Sequence, residues 1–320
     1  MTESTASTTR QLAPEPLQIR GASKSFGPVQ ALKSVSFDIL PGEIHALCGG
    51  NGSGKSTLIK GLAGIQPLDE GTIIFDGTEV AAPTLTPEIS AESGVRVVHQ
   101  DLGLFHEMSV AENIALGGRF QLNRLRGIDR RQLHRFAAEL LEEYEIDADP
   151  RDELASLSRV AQTQVAIARV LGKSLTSAKG LLILDEPTAS LPIHEVSMLM
   201  QNLKNYASKG QSILYVSHRL DEILEWTDSV SVLRDGQYMG NYVSRDLSET
   251  QLAELIVGRS ISSIHLKDTN PERERVEVAS LSHVSSGHLR DLDLTVKGGE
   301  VLVLAGVQGL GKNEVLGLFF

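Results

Sequence analysis

Short apolar runs rich in β-branched residues, separated by longer stretches of helical periodicity, organise most of this chain. Ile44–Cys48 (IHALC) and residues 94–100 (GVRVVHQ), 181–187 (LLILDEP), 212–218 (SILYVSH) and 229–236 (SVSVLRDG) each read as a buried strand. Helical patterns fill the intervals. Residues 57–63 (TLIKGLA) open one helix, residues 164–171 (QVAIARVL) belong to another, and Ser248-Glu249-Thr250-Gln251 is a capping box for a helix running to Val257. Strands alternating with helices predict an α/β fold with a mostly parallel sheet covered on both faces. Residues 1–16 are Ser/Thr-rich without an apolar signal core and read as a disordered tail of an unexported protein. Residues 260–275 (SISSIHLKDTNPERER) are polar and charged with no periodicity, which reads as a linker.

Beyond the linker the pattern begins again. Gly42-Glu43 recurs as Gly299-Glu300, 257 residues later. The same spacing carries Gly49 to Gly306, Gly52 to Gly309, Gly54 to Gly311 and Lys55 to Lys312, while SVSFDILPGE is echoed by DLDLTVKGGE. This is the signature of a tandem repeat of a whole domain. Residues 17–259 form the first copy and residues 276–320 the N-terminal fragment of a second. A strand–loop–helix start cannot bury a core by itself, so the second copy reads either as truncated or as continuing beyond residue 320.

Composition narrows the partners. Hydrophobic residues make up 41% and charged residues 22% of the 320-residue chain, ordinary values for a soluble globular protein. No run of about 18 apolar residues is present, so no membrane span is expected. The formal net charge of −11 argues against nucleic acid as the main partner, since such binding rests on a basic face. Cys48 is the only cysteine, which excludes an intramolecular disulfide and a cysteine-rich metal site; it reads as a small core residue at the end of its strand.

The chemistry concentrates in two places. Gly49-Gly50-Asn51-Gly52-Ser53-Gly54-Lys55-Ser56 matches G-x-x-x-x-G-K-[ST] at every fixed position, between a strand and a helix. Glycines let such a loop wrap an anion with its N–H groups inward, and the helix N-terminus adds partial positive charge. Lys55 is placed to reach the β- and γ-phosphates of a nucleoside triphosphate, and the Ser56 hydroxyl to ligate Mg²⁺. The second place is LLILDE, where two acids end a buried strand. Asp185 is the candidate Mg²⁺ partner and Glu186 the candidate for polarising an attacking water.

Five segments together give the chain a family resemblance. KSFGPVQALKSVSFDILPGEIHAL leads into the phosphate loop, VVHQDLGLFHEMSVAENIALG supplies a Q-loop, LLILDEPTASL a second nucleotide motif, VSHRLDEILEWTDSVSVLRDG a switch-histidine segment, and LIVGR closes the unit. The first copy resembles an ATP-binding cassette ATPase, and residues 17–320 resemble the tandem-cassette ATPases of bacterial monosaccharide importers of the ribose, xylose and galactose type. The resemblance implies a P-loop nucleotide-binding domain with a mostly parallel core sheet flanked by helices, an N-terminal antiparallel β subdomain and a helical subdomain at about 101–171, followed by the start of a second copy. It implies ATP and Mg²⁺, bound by residues 49–57 including Thr57. Phe26 falls where an aromatic stacks on adenine, Gln100 where a glutamine at a strand end meets Mg²⁺ and water, and His218, at another strand end, where an imidazole meets the γ-phosphate and orients Glu186. His99, His106 and His194 receive no role.

One motif departs from the family pattern. Where Leu-Ser-Gly-Gly-Gln is the rule, this chain reads Leu157-Ser158-Arg159-Val160-Ala161, with Gln162 one residue late. Ser158 keeps the position whose hydroxyl would touch a γ-phosphate, while Val160 is expected to obstruct close backbone approach. In the family each ATP lies between the phosphate loop of one cassette and the signature of the other, and the second loop here carries Asn313 in place of a hydroxyl. The pseudo-dimer of the two copies is therefore expected to hold one hydrolytic and one degenerate site. The resemblance further implies a peripheral subunit at the cytoplasmic face of the membrane. Its partners are integral-membrane permease subunits, docked in part through 101–117, and indirectly an extracytoplasmic sugar-binding protein. A soluble tandem cassette acting on ribosomes or nucleic acid, and a low-turnover nucleotide sensor, are the competing readings.

Overall fold

Two sheets and the helices packed on them build most of the chain. The computed structural model describes residues 17–116, 128–172, 180–259, 276–305 and 311–318. It divides the chain into two compact units, Met1–Ser263 and Ile264–Phe320, with the boundary inside the expected linker. The tail at 1–16, the linker at 260–275 and residues 306–310 of the second loop lie outside the described residues.

The first unit opens with a hairpin of β1 (Leu17–Phe26) and β2 (Val29–Ile39), then β3 (Ile44–Cys48) and α1 (Lys55–Leu62). Strands β4 (Glu70–Phe75) and β5 (Thr78–Ala81) follow, with α2 (Pro87–Glu92), β6 (Val95–Val98), α3 (Val110–Ala115), α4 (Arg130–Glu143) and α5 (Arg159–Leu171). It ends with β7 (Leu181–Asp185), α6 (Ile193–Ser208), β8 (Ser212–Val216), α7 (Leu220–Trp226), β9 (Ser229–Arg234), β10 (Gln237–Val243) and α8 (Glu249–Val257). The antiparallel sheet runs β2-β1-β4-β5 and the larger one β10-β9-β3-β8-β7-β6. Every pairing in the larger sheet is parallel except that of β10 with β9. That is the mixed α/β arrangement the alternating pattern predicts.

The period of two along each strand sorts the core into layers. Ala46, Leu182, Leu184, Ile213, Tyr215, Val230 and Val232 pack with α3 to α8 on one face. Leu47, Leu181, Ile183, Leu214, Val216 and Leu233 pack on the other against α1, α2 and the antiparallel sheet. Burying a side chain of this kind contributes about 1.5–3 kcal/mol, so strands buried on both faces anchor whatever projects from their ends. Cys48 is fully buried, the core residue it was read to be.

Helix starts follow their caps. Ser109 and Glu112 close a capping box on α3, Asp129 caps α4 and Ser158 caps α5. The box at Ser248 and Gln251 opens α8, which ends at Gly258 in a left-handed turn (φ 79°). Strand ends fall short of the apolar runs: β6 stops at Val98 and β8 at Val216. Gln100 and His218 therefore stand two residues beyond their strands rather than on the last residue. The ladder ends there because pairing runs out, Val98 against Leu184 and Val216 against Asp185.

The second unit contains β11 (Glu277–Ser286) and β12 (Leu289–Lys297), paired antiparallel from Glu277↔Lys297 to Ser286↔Leu289, and α9 (Lys312–Gly317). Residues 301–305 form no strand, and Val301 and Val303 are exposed, whereas Ile44 and Ala46, 257 residues earlier, are buried in β3. Among the described residues, no helix is long and apolar enough to cross a membrane.

Candidate nucleotide site

The chain leaves β3 at Cys48, loops through residues 49–54 and enters α1, whose N-cap Gly54 is left-handed (φ 102°). A Cβ on Gly54 would stand 2.5 Å from the Ala31 carbonyl oxygen and 2.8 Å from Leu32, so the position tolerates only glycine on both counts. Gly49 is packed as closely, and a Cβ there would overlap the Leu233 carbonyl oxygen and the Ser53 hydroxyl. Backbone from β2 and β9 thus presses the loop into shape. Gly50 and Gly52 have open space around them, and Asn51 is exposed, so these three form the outward lip.

Two features inside the loop fit an anion. Lys55 Nζ folds back to donate to the carbonyl oxygens of Gly49 (2.7 Å) and Gly50 (3.1 Å). Burial pulls the Lys55 pKa down, and attraction to Cys48, Glu186 and Asp185 opposes it. Cys48 is neutral at pH 7, its thiol pushed up to about 12 by burial, so the two carboxylates carry that attraction. The second feature is the Ser53 hydroxyl, buried with no hydrogen-bond partner. Leaving a buried hydroxyl unpaired costs about 1–3 kcal/mol, and a phosphate oxygen within the loop would accept from it and draw Lys55 off its own carbonyls. Ser56 is exposed and Thr57 half-buried in the first turn of α1.

The acids meet the loop from β7. Asp185 is the last residue of that strand, and burial first, then the neighbouring Glu186, push its carboxyl above the usual range against the pull of His99, Lys55 and Lys60. Glu186 follows in a left-handed conformation (φ 52°), rare for a residue with a side chain. Its N–H donates to the Val216 carbonyl (2.9 Å) at the end of β8, and its Oε1 lies 3.2 Å from His218 Nδ1. Backbone strain of this kind costs about 1–3 kcal/mol and persists where the surroundings impose it. The structure therefore brings Lys55, Asp185, Glu186 and His218 to one end of the parallel sheet, where open α/β sheets bind their ligands.

Phe26 ends β1 with its ring 44% exposed and the Lys24 ammonium 5.5 Å from the ring centroid. Phe26 is therefore no core residue: its ring is partly open to solvent, with a cation beside it. Gln100 is exposed in a bend after β6. Among the described residues no cluster of three or more His, Cys, Asp or Glu side chains could hold a metal ion. A cation here would rest instead on the mixed oxygen set of Ser56, Gln100 and Asp185 together with phosphate.

The departed signature is built differently from its expectation. Ser158 is exposed and accepts from the Ala161 N–H (3.3 Å), as an N-cap does. Val160 does not face outward to block approach; its side chain is buried in the helical core and its N–H donates to the Glu195 carboxylate of α6 (2.9 Å). An acidic side chain, not a bulky one, occupies the start of this helix. Gln162 turns inward and donates to the carbonyls of Leu154 (3.2 Å) and Leu157 (3.0 Å), so it belongs to the turn.

Sequence reasoning missed His99, whose charge acts on Asp185, and Glu195. Counting in twos from Val95 and Val97, which pack on the α1 side of the sheet, would have placed His99 on that side.

The family model for the ABC transporter matches residues 32–189. The ribose import ATP-binding protein RbsA of Geobacillus kaustophilus is 37% identical over 305 residues, covering 95% of this chain and 60% of the relative. The RbsA of Corynebacterium glutamicum is 40% identical (94% and 55%), and the xylose import ATP-binding protein XylG of Geobacillus kaustophilus 36% (95% and 60%). The chain thus spans about 60% of the length of the curated relatives it matches. Among solved structures, the ADP conformation of MJ1267, an ATP-binding cassette of an ABC transporter, superposes with a TM-score of 0.63 at 24% identity, over 76% of this chain and 95% of that one. The cbiO1 protein of Clostridium perfringens, part of the ABC transporter complex cbiONQ, gives 0.61 at 26% (73% and 90%).

Proposed function

The chain belongs to the ATP-binding cassette family of ABC transporters, and on that premise we propose that it is the ATP-hydrolysing motor subunit of a monosaccharide importer. The observation that carries this reading is the contact of His218 with Glu186 (3.2 Å) beside a phosphate loop whose buried Ser53 hydroxyl lacks a partner. Phe26 holds the adenine, residues 49–57 hold the phosphates, and Lys55 neutralises charge at the β- and γ-positions. Ser56, Asp185 and Gln100 are the residues to hold Mg²⁺, which when bound supplies further charge neutralisation on the phosphate oxygens. Glu186 orients water in line with the γ-phosphorus. As the water oxygen bonds to phosphorus, the bond to the β–γ bridging oxygen breaks, ADP leaves with that electron pair and the water proton is released. His218 steadies both the carboxylate and the γ-phosphate.

The sugar is proposed from the relatives, named for ribose and xylose import. Peripheral attachment to the inner face of the membrane, a separate permease, and indirect service to an extracytoplasmic sugar-binding protein follow from the same reading. The repeat at 276–320 supports a second cassette as partner, with Asn313 and the Glu195-capped helix start as the eroded elements of one of two sites. Glu186→Gln in the full-length protein tests the proposal. Turnover is expected to fall to a few per cent with ATP binding retained; a variant keeping half the activity refutes the asymmetry, and undiminished turnover refutes the assignment of Glu186.

A further inference from the structure

Behind the hydrolytic pair lies a buried carboxylate that neither the nucleotide motifs nor the reaction accounts for. Glu222, on α7, is 3% exposed. Its Oε2 accepts from the Tyr215 hydroxyl of β8 (2.6 Å) and from the Thr188 hydroxyl (2.7 Å), and the two hydroxyls lie 3.2 Å apart. Thr188 and Tyr215 are themselves buried. Its Oε1 lies 2.7 Å from Arg219 Nη1 but out of line for a hydrogen bond, so Arg219 meets it as an ion pair. Burial, then the hydrogen bond and charge of Glu222, push the Tyr215 hydroxyl far up, which keeps it a donor.

The placement of these partners is what matters. Thr188 is two residues after Glu186, in a turn where Ala189 N–H donates to the Glu186 carbonyl (3.2 Å) and Leu191 N–H to the Thr188 carbonyl (3.0 Å). Arg219 directly follows His218, and its N–H is held by the Ser217 hydroxyl (3.1 Å). One carboxylate therefore grips the segment carrying Glu186 and the segment carrying His218. A buried charge held by three groups is costly to leave half-satisfied, so it fixes the distance between its partners.

We propose that Glu222 is a positioning residue for ATP hydrolysis, setting the His218–Glu186 contact by clamping Thr188 and Arg219 across the end of β8. The proposal rests on the reading of Glu186 and His218 as the hydrolytic pair. Displacing a catalytic group by about 1 Å costs up to about 100-fold in rate. The hydrogen bonds and ion pairs of Thr188 and Arg219 go to Tyr215, Ser217, Asp221 and Glu222 rather than to residues 49–57, so the loss is expected in kcat more than in ATP affinity.

The test measures kcat, KM for Mg-ATP and the Kd of a non-hydrolysable ATP analogue for full-length Glu222→Gln, Thr188→Val, Thr188→Ser and Glu186→Gln. Glu222→Gln and Thr188→Val are expected to lower kcat about tenfold or more, with KM and Kd within about twofold of wild type. Thr188→Ser, which restores the hydroxyl, recovers most of the rate. Should Glu222→Gln fail to fold, the Thr188 pair carries the decision, since each changes one small side chain. Wild-type kcat in the folded Glu222→Gln or Thr188→Val variant overturns the proposal, as does a loss of kcat matched by equal losses in Kd and melting temperature. Undiminished turnover in Glu186→Gln instead refutes the underlying reading.

Discussion

Replacing Ser53 by alanine separates what the loop needs when empty from what it needs when loaded. In the free protein the hydroxyl is buried beside Gly49 and satisfied by nothing. Removing it relieves a desolvation cost of about 1–3 kcal/mol, partly offset by the lost packing of one oxygen, so a net gain of about 1 kcal/mol is expected. For a unit of this size that raises the melting temperature by about 2–4 °C. With nucleotide bound the sign reverses, because a hydrogen bond to a charged phosphate contributes about 1.5–3 kcal/mol, and its loss weakens ATP binding about tenfold or more. Calorimetric melting of the free protein and titration with ATP read the two terms separately. A variant that melts lower while binding ATP as tightly as wild type refutes the reasoning, since Ser53 would then be a structural side chain that faces no ligand.

Three further perturbations follow from the same geometry. Gly54→Ala sets a Cβ 2.5 Å from the Ala31 carbonyl at φ 102° and should destabilise the fold by about 1–3 kcal/mol, whereas Gly50→Ala, with open space around it, should leave denaturant unfolding unchanged. Phe26→Ala should raise the Kd for ATP about tenfold with melting nearly unaltered, because the ring is exposed and base stacking contributes about 1–3 kcal/mol. Glu43 is buried, which pushes its carboxyl up, but hydrogen bonding and charge from His45, with the Ser229 hydroxyl and the Leu40 N–H, bring it below its ordinary 4.5. A depressed carboxyl stabilises the fold above its unfolded value and loses that contribution as pH falls through the folded one. The stability gap between wild type and Glu43→Gln should therefore close below about pH 4.5, as followed by urea unfolding across pH.

What the sequence made legible was whatever depends on local pattern. Ile44–Cys48 and the helix ending at Val257 appear with those bounds because a fully apolar run and a capping box are short-range signals. The phosphate loop was readable because Gly49 and Gly54 serve close approaches that no other residue permits. Contacts between distant segments were not legible. Glu195 on the Val160 N–H spans 35 residues and Glu222 on Thr188 spans 34, and no periodicity in either stretch announces them. Val160 was misread for the same reason: its absence of a glycine was visible, but the direction of its side chain is set by the core of α3, α4 and α5.

The strand period also explains why Glu186 carries strain. Leu181 and Ile183 pack on the α1 side of the sheet, so Asp185, two further along, faces the phosphate loop, in keeping with the action of Lys55 and Lys60 on its carboxyl. Glu186 follows at the opposite parity, and in a continued strand it would face the helical layer with Leu182 and Leu184. The left-handed turn at φ 52° breaks the alternation and lets a second consecutive acid reach His218 on the same side. Two adjacent carboxylates can serve one site only if the backbone leaves the sheet between them. The hydrogen bond from Glu186 N–H to Val216, and the grip of Glu222 on Thr188 two residues later, hold that turn from both ends.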